Sequence, residues 1–113
     1  MERANIDFAN LGFGYMKMDA NLRYRFKDGK WGKPEVTDSE TMDIPIGATC
    51  LHYGQNIFEG LKVYETKNGD IAAFRPDENQ KRMAYSAEKI FMEPIPESVF
   101  FDALNRIVNL NKR

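Results

Sequence analysis

The sequence contains one cysteine and one histidine in 113 residues, and this scarcity excludes several kinds of site. The lone Cys50 cannot form a disulfide within the chain, and we interpret it as a small hydrophobic residue at a strand edge. A single histidine, His52, leaves too few ligands for a typical zinc site, so no metal site is predicted. Sixteen basic and seventeen acidic residues give a net charge of −1, which indicates no basic surface for nucleic acid.

Long hydrophobic runs are also missing. No stretch approaches the roughly 20 apolar residues of a membrane-spanning helix, and the N-terminal residues lack the apolar core of a signal peptide. Together with the single cysteine, these absences favour a cytoplasmic protein that binds neither membrane nor nucleic acid. The length and a hydrophobic content of 42% predict one small domain over residues 1–113.

The first half of the sequence predicts β-strands. Phe13–Met18 is rich in aromatic residues and Leu22–Phe26 alternates strictly, so together they predict a hairpin. Asp28-Gly29 signals a tight turn, and residues 33–41 are interpreted as a loop. A second hairpin is predicted further along, with an Asn-Gly turn signal at residues 68–69.

The second half predicts two helices. Asp77 and Gln80 have the spacing of a capping box at the start of the first helix. The apolar face of that helix follows helical spacing at Met83, Ala87, Ile90 and Phe91. A second apolar stripe follows Pro96 and ends near Leu110. Strands followed by helices predict an α+β fold: an antiparallel β-sheet of about five to six strands with two helices packed on one face.

The stretch Leu51–Lys62, which we call the central segment, separates the two halves. It places Tyr53 and Phe58 between glycines. Two interpretations are open for these aromatic residues, namely core residues of a sheet or side chains presented to a ligand. For His52 the alternatives are a hydrogen-bonded structural histidine, which is the commoner case, and a catalytic base.

No complete catalytic motif is present. A Ser/His/Asp triad can be assembled on paper from Ser86, His52 and an aspartate, but the local sequence does not support it. Gly12-Phe13-Gly14 is too weak a signal for a phosphate loop. Arg82 is more informative, because it is either a solvated helix arginine or an anion ligand near a helix N-terminus. Its planar fork suits bidentate contacts to phosphate.

Two blocks of the sequence resemble branched-chain amino-acid aminotransferases, which are pyridoxal-phosphate enzymes of the class IV aminotransferase fold. The first block is the central segment, and the second is Phe74–Met83, with the Asn-Gly hairpin between them. Related D-amino-acid transaminases and aminodeoxychorismate lyases usually lack the Leu-His-Tyr-Gly version of the first block. The resemblance runs from about Phe13 to Leu110 and covers about the first third of such an enzyme. It implies the small N-terminal domain of a two-domain enzyme whose C-terminal catalytic domain is absent from this sequence.

The resemblance also implies roles for individual residues. Arg82 matches the arginine that binds the cofactor phosphate, and Phe13, Tyr53 and Phe58 match residues that line the substrate pocket. The implied reaction transfers an amino group between leucine, isoleucine or valine and 2-oxoglutarate in a homodimer. The Schiff-base lysine lies in the missing domain, so no catalytic residue is implied here. The fragment alone is expected to be inactive and to bind pyridoxal phosphate weakly or not at all. The alternative is a stand-alone α+β ligand-binding or interaction module without catalysis.

Overall fold

A computed structural model describes residues 2–113 and shows an α+β protein with six short strands and two main helices. A 3₁₀ turn at Phe8–Asn10 and a short helix complete the elements. Among the described residues, no helix is both long enough and apolar enough to cross a membrane. The strands and helices are β1 Asn21–Arg23, β2 Phe26–Lys27, β3 Lys30–Trp31, β4 Glu35–Thr37, α1 Thr49–His52, β5 Val63–Glu65, β6 Ile71–Ala73, α2 Pro76–Lys89 and α3 Glu97–Asn111.

The chain divides into two compact units. The first unit contains the residues up to Met42 together with Asn105–Arg113, and the second is Asp43–Leu104. Strands β1 to β4 belong to the first unit. The second unit holds β5, β6, α1 and α2, and it also contains the central segment.

The strands pair as three two-stranded antiparallel sheets. Strand β1 pairs with β4, β2 with β3, and β5 with β6. The antiparallel pairing and the number of strands agree with the prediction, whereas the single sheet of five to six strands does not form. Each strand has only two or three residues. A strand this short presents few backbone groups on its second edge, so each pair remains a separate ladder.

The first predicted hairpin is wrong. Residues 13–18 form no strand, and β1 pairs instead with β4, inside the segment that was interpreted as a loop. Side chains of β1 hold this pairing. Asn21 Nδ2 donates to the Ser39 carbonyl at 2.8 Å, and Arg23 Nη2 donates to the same oxygen at 3.0 Å. These contacts join residues 16 to 18 positions apart, so local alternation could not reveal them.

Both predicted tight turns lie where the sequence indicates. Asp28 has a φ of 53° and Gly29 a φ of 80°, and two left-handed residues form the type I′ turn that joins β2 to β3. In the second hairpin Gly69 has a φ of 85°. Its N–H donates to the Thr66 carbonyl at 3.0 Å, and Thr66 N–H donates to the Asp70 carbonyl at 2.7 Å. This turn is therefore the wider loop with a glycine bulge.

The capping box predicted for α2 is wrong. Helix α2 begins at Pro76, because the fixed φ of proline suits the first helical position. Asp77 therefore lies within the first turn, and the preceding Arg75 has no capping side-chain hydrogen bond. The side chain of Gln80 is buried and donates to the Ile95 carbonyl at 3.0 Å. Gln80 thus satisfies the backbone that follows α2 instead of the backbone that precedes it.

The apolar face of α2 is buried only in part. Ala87 is the one hydrophobic residue of the described chain that is fully buried, while Met83 and Ile90 are half-buried. Phe91, predicted on the same face, is exposed. The helix ends there, since Phe91 has a φ of 60° and the Met92 N–H donates to the Ala87 carbonyl at 2.9 Å. This left-handed residue reverses the chain and turns the Phe91 ring away from the buried face.

Candidate functional site

The central segment leaves helix α1 through a left-handed glycine. Tyr53 follows the last residue of α1, and its N–H donates to the Thr49 carbonyl at 2.9 Å. Gly54 has a φ of 65°, and its carbonyl accepts a hydrogen bond from the Asn56 N–H at 2.8 Å. A residue without a Cβ adopts this conformation at no steric cost. The glycine therefore permits the turn that follows Tyr53.

Gln55 ties the central segment to the end of α2. Its Nε2 donates to the Ile90 carbonyl at 2.8 Å, and its Oε1 accepts from Thr49 Oγ1 at 2.7 Å. The last carbonyls of a helix have no partner within the helix, so the Gln55 amide satisfies one of them. Both ends of the amide are used, which fixes the backbone between the two predicted aromatic residues.

Tyr53 and Phe58 are exposed to solvent, at 84% and 91% of their surface. The interpretation of these rings as core residues is therefore wrong for this chain. Phe13 is also fully exposed, and it belongs to the first unit, whereas Tyr53, Phe58 and Arg82 belong to the second. The exposure leaves all three rings accessible to a ligand or a partner.

Arg82 pairs with Glu59 of the central segment. Its Nε donates to Glu59 Oε2 at 2.9 Å, and its Nη2 donates to Oε1. The Arg82 side chain is 66% exposed, while that of Glu59 is only 8% exposed. Arg82 is the seventh residue of α2, beyond the first turn in which the helix dipole acts. Its attraction for an anion therefore comes from the guanidinium and not from the helix N-terminus.

Asn79 completes a three-residue cluster, which we call the Glu59 cluster: Glu59, Asn79 and Arg82. The Asn79 Nδ2 donates to Glu59 Oε1 at 2.9 Å and to the Gly60 carbonyl at 2.9 Å. Asn79 and Arg82 are three residues apart on α2, so they share one face of the helix. The helix therefore holds the same carboxylate through a neutral donor and a charged one.

The charges in this cluster are fixed by hydrogen bonding. The hydrogen bond from Arg82 lowers the pKa of Glu59 below its usual value, and the bond from Asn79 acts in the same direction. Desolvation opposes this shift because burial disfavours a charged carboxylate. The same hydrogen bond raises the pKa of Arg82. At neutral pH the pair is thus a carboxylate and a guanidinium cation.

Neither Glu59 nor Asn79 was predicted as a site residue, although both lie in the blocks that carry the resemblance. One local signal was present, since Asn79 precedes Arg82 by three residues. The role of Glu59 could not be predicted from local spacing, because its hydrogen bonds to Asn79 and Arg82 span 20 and 23 residues across the second hairpin.

A recess of about 520 Å³ borders the Glu59 cluster. Among its lining residues, Lys62, Tyr64 and Asn79 have polar side chains. The four residues predicted for the site from sequence are not among those that line it. The lining residues are Gly60, Leu61, Lys62, Tyr64, Phe74 and Asn79.

His52 and Cys50 both lie in α1, outside the Glu59 cluster. A ring nitrogen of His52 hydrogen-bonds the Ile46 carbonyl, which is the structural role expected in the commoner case. Cys50 is a free cysteine, and it lies exposed in α1 rather than at a strand edge. In residues 2–113, no three His, Cys, Asp or Glu side chains are grouped to hold a metal ion.

Comparison with known proteins shows which proteins this chain is similar to. No protein-family model matches the chain. The chain is 42% identical over 108 residues to a branched-chain-amino-acid aminotransferase of Haemophilus influenzae. The aligned segment covers 96% of this chain and 32% of the relative. The Helicobacter pylori enzyme of the same name is 37% identical, with the same coverage of both chains. The chain is a homologue of the branched-chain amino-acid aminotransferases.

The aminotransferase homologue spans about a third of the length of these relatives. A chloroplastic branched-chain amino acid aminotransferase of Humulus lupulus is 37% identical over 100% of this chain and 28% of its own length. The transaminase htyB of Aspergillus rugulosus is 36% identical over 96% of this chain and 29% of its own length. The shared segment is thus not confined to enzymes named for branched-chain amino acids.

Proposed function

We propose that this chain is the small N-terminal domain of a branched-chain amino-acid aminotransferase of class IV fold that uses pyridoxal phosphate. The homology over nearly the whole chain carries this proposal. The complete enzyme would transfer the amino group between leucine, isoleucine or valine and 2-oxoglutarate. It would work as a cytoplasmic homodimer, with its catalytic lysine outside the 113 residues.

Arg82 fits the phosphate group of that cofactor. A guanidinium carries five N–H donors, and the pair with Glu59 engages only the edge formed by Nε and Nη2. The edge formed by Nη1 and Nη2 suits two oxygens of a phosphate, and the side chain is largely exposed. Pyridoxal phosphate, when bound, supplies the electron sink for amino-group transfer. The part of Arg82 is to bind and orient the phosphate end.

Tyr53 and Phe58 are proposed to form part of the apolar wall of the substrate pocket in the complete enzyme, and the same role for Phe13 stays a prediction from the resemblance. Branched aliphatic side chains offer no polar group, so an apolar surface must recognise them. The exposure of these rings supports this role, because the chain itself does not use them as a core. A wall of this kind distinguishes one methylene by about 1–3 kcal/mol, which predicts that all three amino acids are substrates.

The phosphate role is tested in the protein encoded by the complete reading frame. Arg82→Ala is expected to raise the dissociation constant of pyridoxal phosphate about tenfold or more, because hydrogen bonds to charged groups contribute about 1.5–3 kcal/mol. Lys81→Ala is the matched control, since it removes an exposed cation from the neighbouring position of α2. Equilibrium dialysis measures both constants.

An unchanged constant in Arg82→Ala would contradict the phosphate role. A reading frame that encodes no second domain with a lysine would instead favour a stand-alone binding or interaction module.

A further inference from the structure

The Glu59 cluster is built unlike an ordinary surface ion pair. Its carboxylate is almost fully enclosed, whereas its arginine is two-thirds exposed. Both carboxylate oxygens accept hydrogen bonds, one from Arg82 Nε and one from Asn79 Nδ2 together with Arg82 Nη2. The enclosed Glu59 carboxylate is therefore fixed by its hydrogen bonds, and it in turn restrains the exposed Arg82 guanidinium.

Asn79 fixes the carboxylate to the helix that carries the arginine. Its amide nitrogen reaches both Glu59 Oε1 and the Gly60 carbonyl at 2.9 Å. The central segment is thereby attached to α2 one turn before Arg82. The orientation of the guanidinium plane is set by two parallel hydrogen bonds from one edge, which is the bidentate geometry of arginine with a carboxylate.

From these contacts we infer that Glu59 and Asn79 are positioning residues, which hold the Arg82 guanidinium with its free edge directed at the cofactor phosphate. The inference rests on the proposed function. An arginine on four rotatable bonds loses side-chain entropy when it binds an anion, and a side chain oriented beforehand loses less. Glu59 therefore increases phosphate affinity, although it carries the same sign of charge as the phosphate.

That sign makes the inference testable. If Glu59 only competed for Arg82, its neutralisation would release the arginine and tighten phosphate binding. If Glu59 orients Arg82, the same change weakens binding. Glu59→Gln keeps the size of the side chain and an oxygen that accepts from Asn79, so it isolates the charge and the second acceptor.

The experiment compares dissociation constants of pyridoxal phosphate and of pyridoxal in the complete protein. Glu59→Gln is expected to weaken pyridoxal phosphate binding about three- to tenfold, the range expected for ordering one long side chain. Binding of pyridoxal, which has no phosphate, is expected to stay unchanged. Asn79→Ala is expected to act in the same direction by a smaller factor. Glu88→Gln, on the exposed side of α2, is the matched control.

Each outcome decides the inference. Tighter or unchanged pyridoxal phosphate binding in Glu59→Gln overturns it, and so does an equal loss of pyridoxal binding. If Glu59→Gln fails to fold, Asn79→Ala decides in its place by the same criteria. Arg82→Ala, measured in the same experiment, separates a failure of the proposed phosphate role from a failure of the positioning role. If Arg82→Ala leaves binding unchanged, the proposed phosphate role fails, whereas a loss in Arg82→Ala without a loss in Glu59→Gln overturns the positioning role alone.

Discussion

Glu59 shows how one enclosed carboxylate links stability to pH. Its pKa is lowered in the folded chain, chiefly by the hydrogen bond from Arg82. A carboxyl group with a lowered folded pKa contributes stability above its unfolded pKa, and the contribution is lost as the pH falls through the folded pKa. The raised pKa of Arg82 changes the free energy of unfolding only at strongly alkaline pH, where the guanidinium would lose its proton.

The expected result is a difference between the wild type and Glu59→Gln that depends on pH. The free energy of unfolding should be higher for the wild type at pH 7. The difference should begin to shrink near pH 4.3, the usual pKa of a glutamate, and continue to shrink below it. Urea titrations at several pH values and one protein concentration measure it. A difference that stays constant down to pH 3 would contradict the assigned pKa shift.

At the scale of residues, the sequence predicted a phosphate-binding role for Arg82 but not its hydrogen-bond partners. An arginine on a helix is visible in the sequence, and so is the resemblance that assigns it to phosphate. The partner Glu59 lies in the irregular stretch between α1 and β5, 23 residues before Arg82 in the sequence. Sequence alone therefore left Glu59 and Asn79 without a role.

At the scale of elements, the type I′ turn at Asp28-Gly29 should be sensitive to a side chain. Gly29 has a φ of 80°, so Gly29→Ala is expected to cost about 1–2 kcal/mol of unfolding free energy. Gly14→Ala, in the same unit, is the control, because Gly14 has no positive φ and a Cβ there meets nothing within 4 Å. That variant should be neutral or up to about 1 kcal/mol more stable.

Trp31 provides the measurement for this prediction. It is the single tryptophan, it lies in β3, and its ring centroid is 5.3 Å from that of Phe26 across the hairpin. Its fluorescence in urea reports unfolding of the first unit. Equal midpoints for Gly29→Ala and Gly14→Ala would show that the turn conformation carries no strain.

Turns were easier to predict than strand partners. Asp-Gly and Asn-Gly mark left-handed positions through local sterics, and both turns lie at the expected residues. The partner of β1 was missed because Asn21 and Arg23 select it through hydrogen bonds to a distant backbone carbonyl. The start of α2 was missed by two residues, since Arg75 and not Asp77 is the N-cap, because Pro76 outweighs the capping potential of Asp77.

At the scale of the whole molecule, the order of strands and helices was enough to predict the α+β class. The division of the strands into three separate pairs was not predictable, because in strands of two or three residues no sequence pattern marks where a ladder ends.

Large hydrophobic residues are exposed in both units, among them Phe13 in the first and Phe58 in the second. Such surfaces are usually covered by a partner or another domain.

Self-association of the 113-residue chain is the expected consequence. Fourteen aromatic residues in a short chain, many of them exposed, favour contact between copies. Light scattering should show a mass above that of the 13.1 kDa monomer, and the mass should rise with concentration. A constant monomer mass at high concentration would show that the exposed apolar residues do not drive association.

The most direct measurement of the proposed function is glutamate formation from 2-oxoglutarate by the protein of the complete reading frame, supplied with pyridoxal phosphate. Glutamate is expected with leucine, isoleucine and valine, with kcat/KM values within about 200-fold of one another, since an apolar pocket separates them by no more than about 3 kcal/mol. Absence of glutamate with all three amino acids would contradict the assignment as a branched-chain aminotransferase.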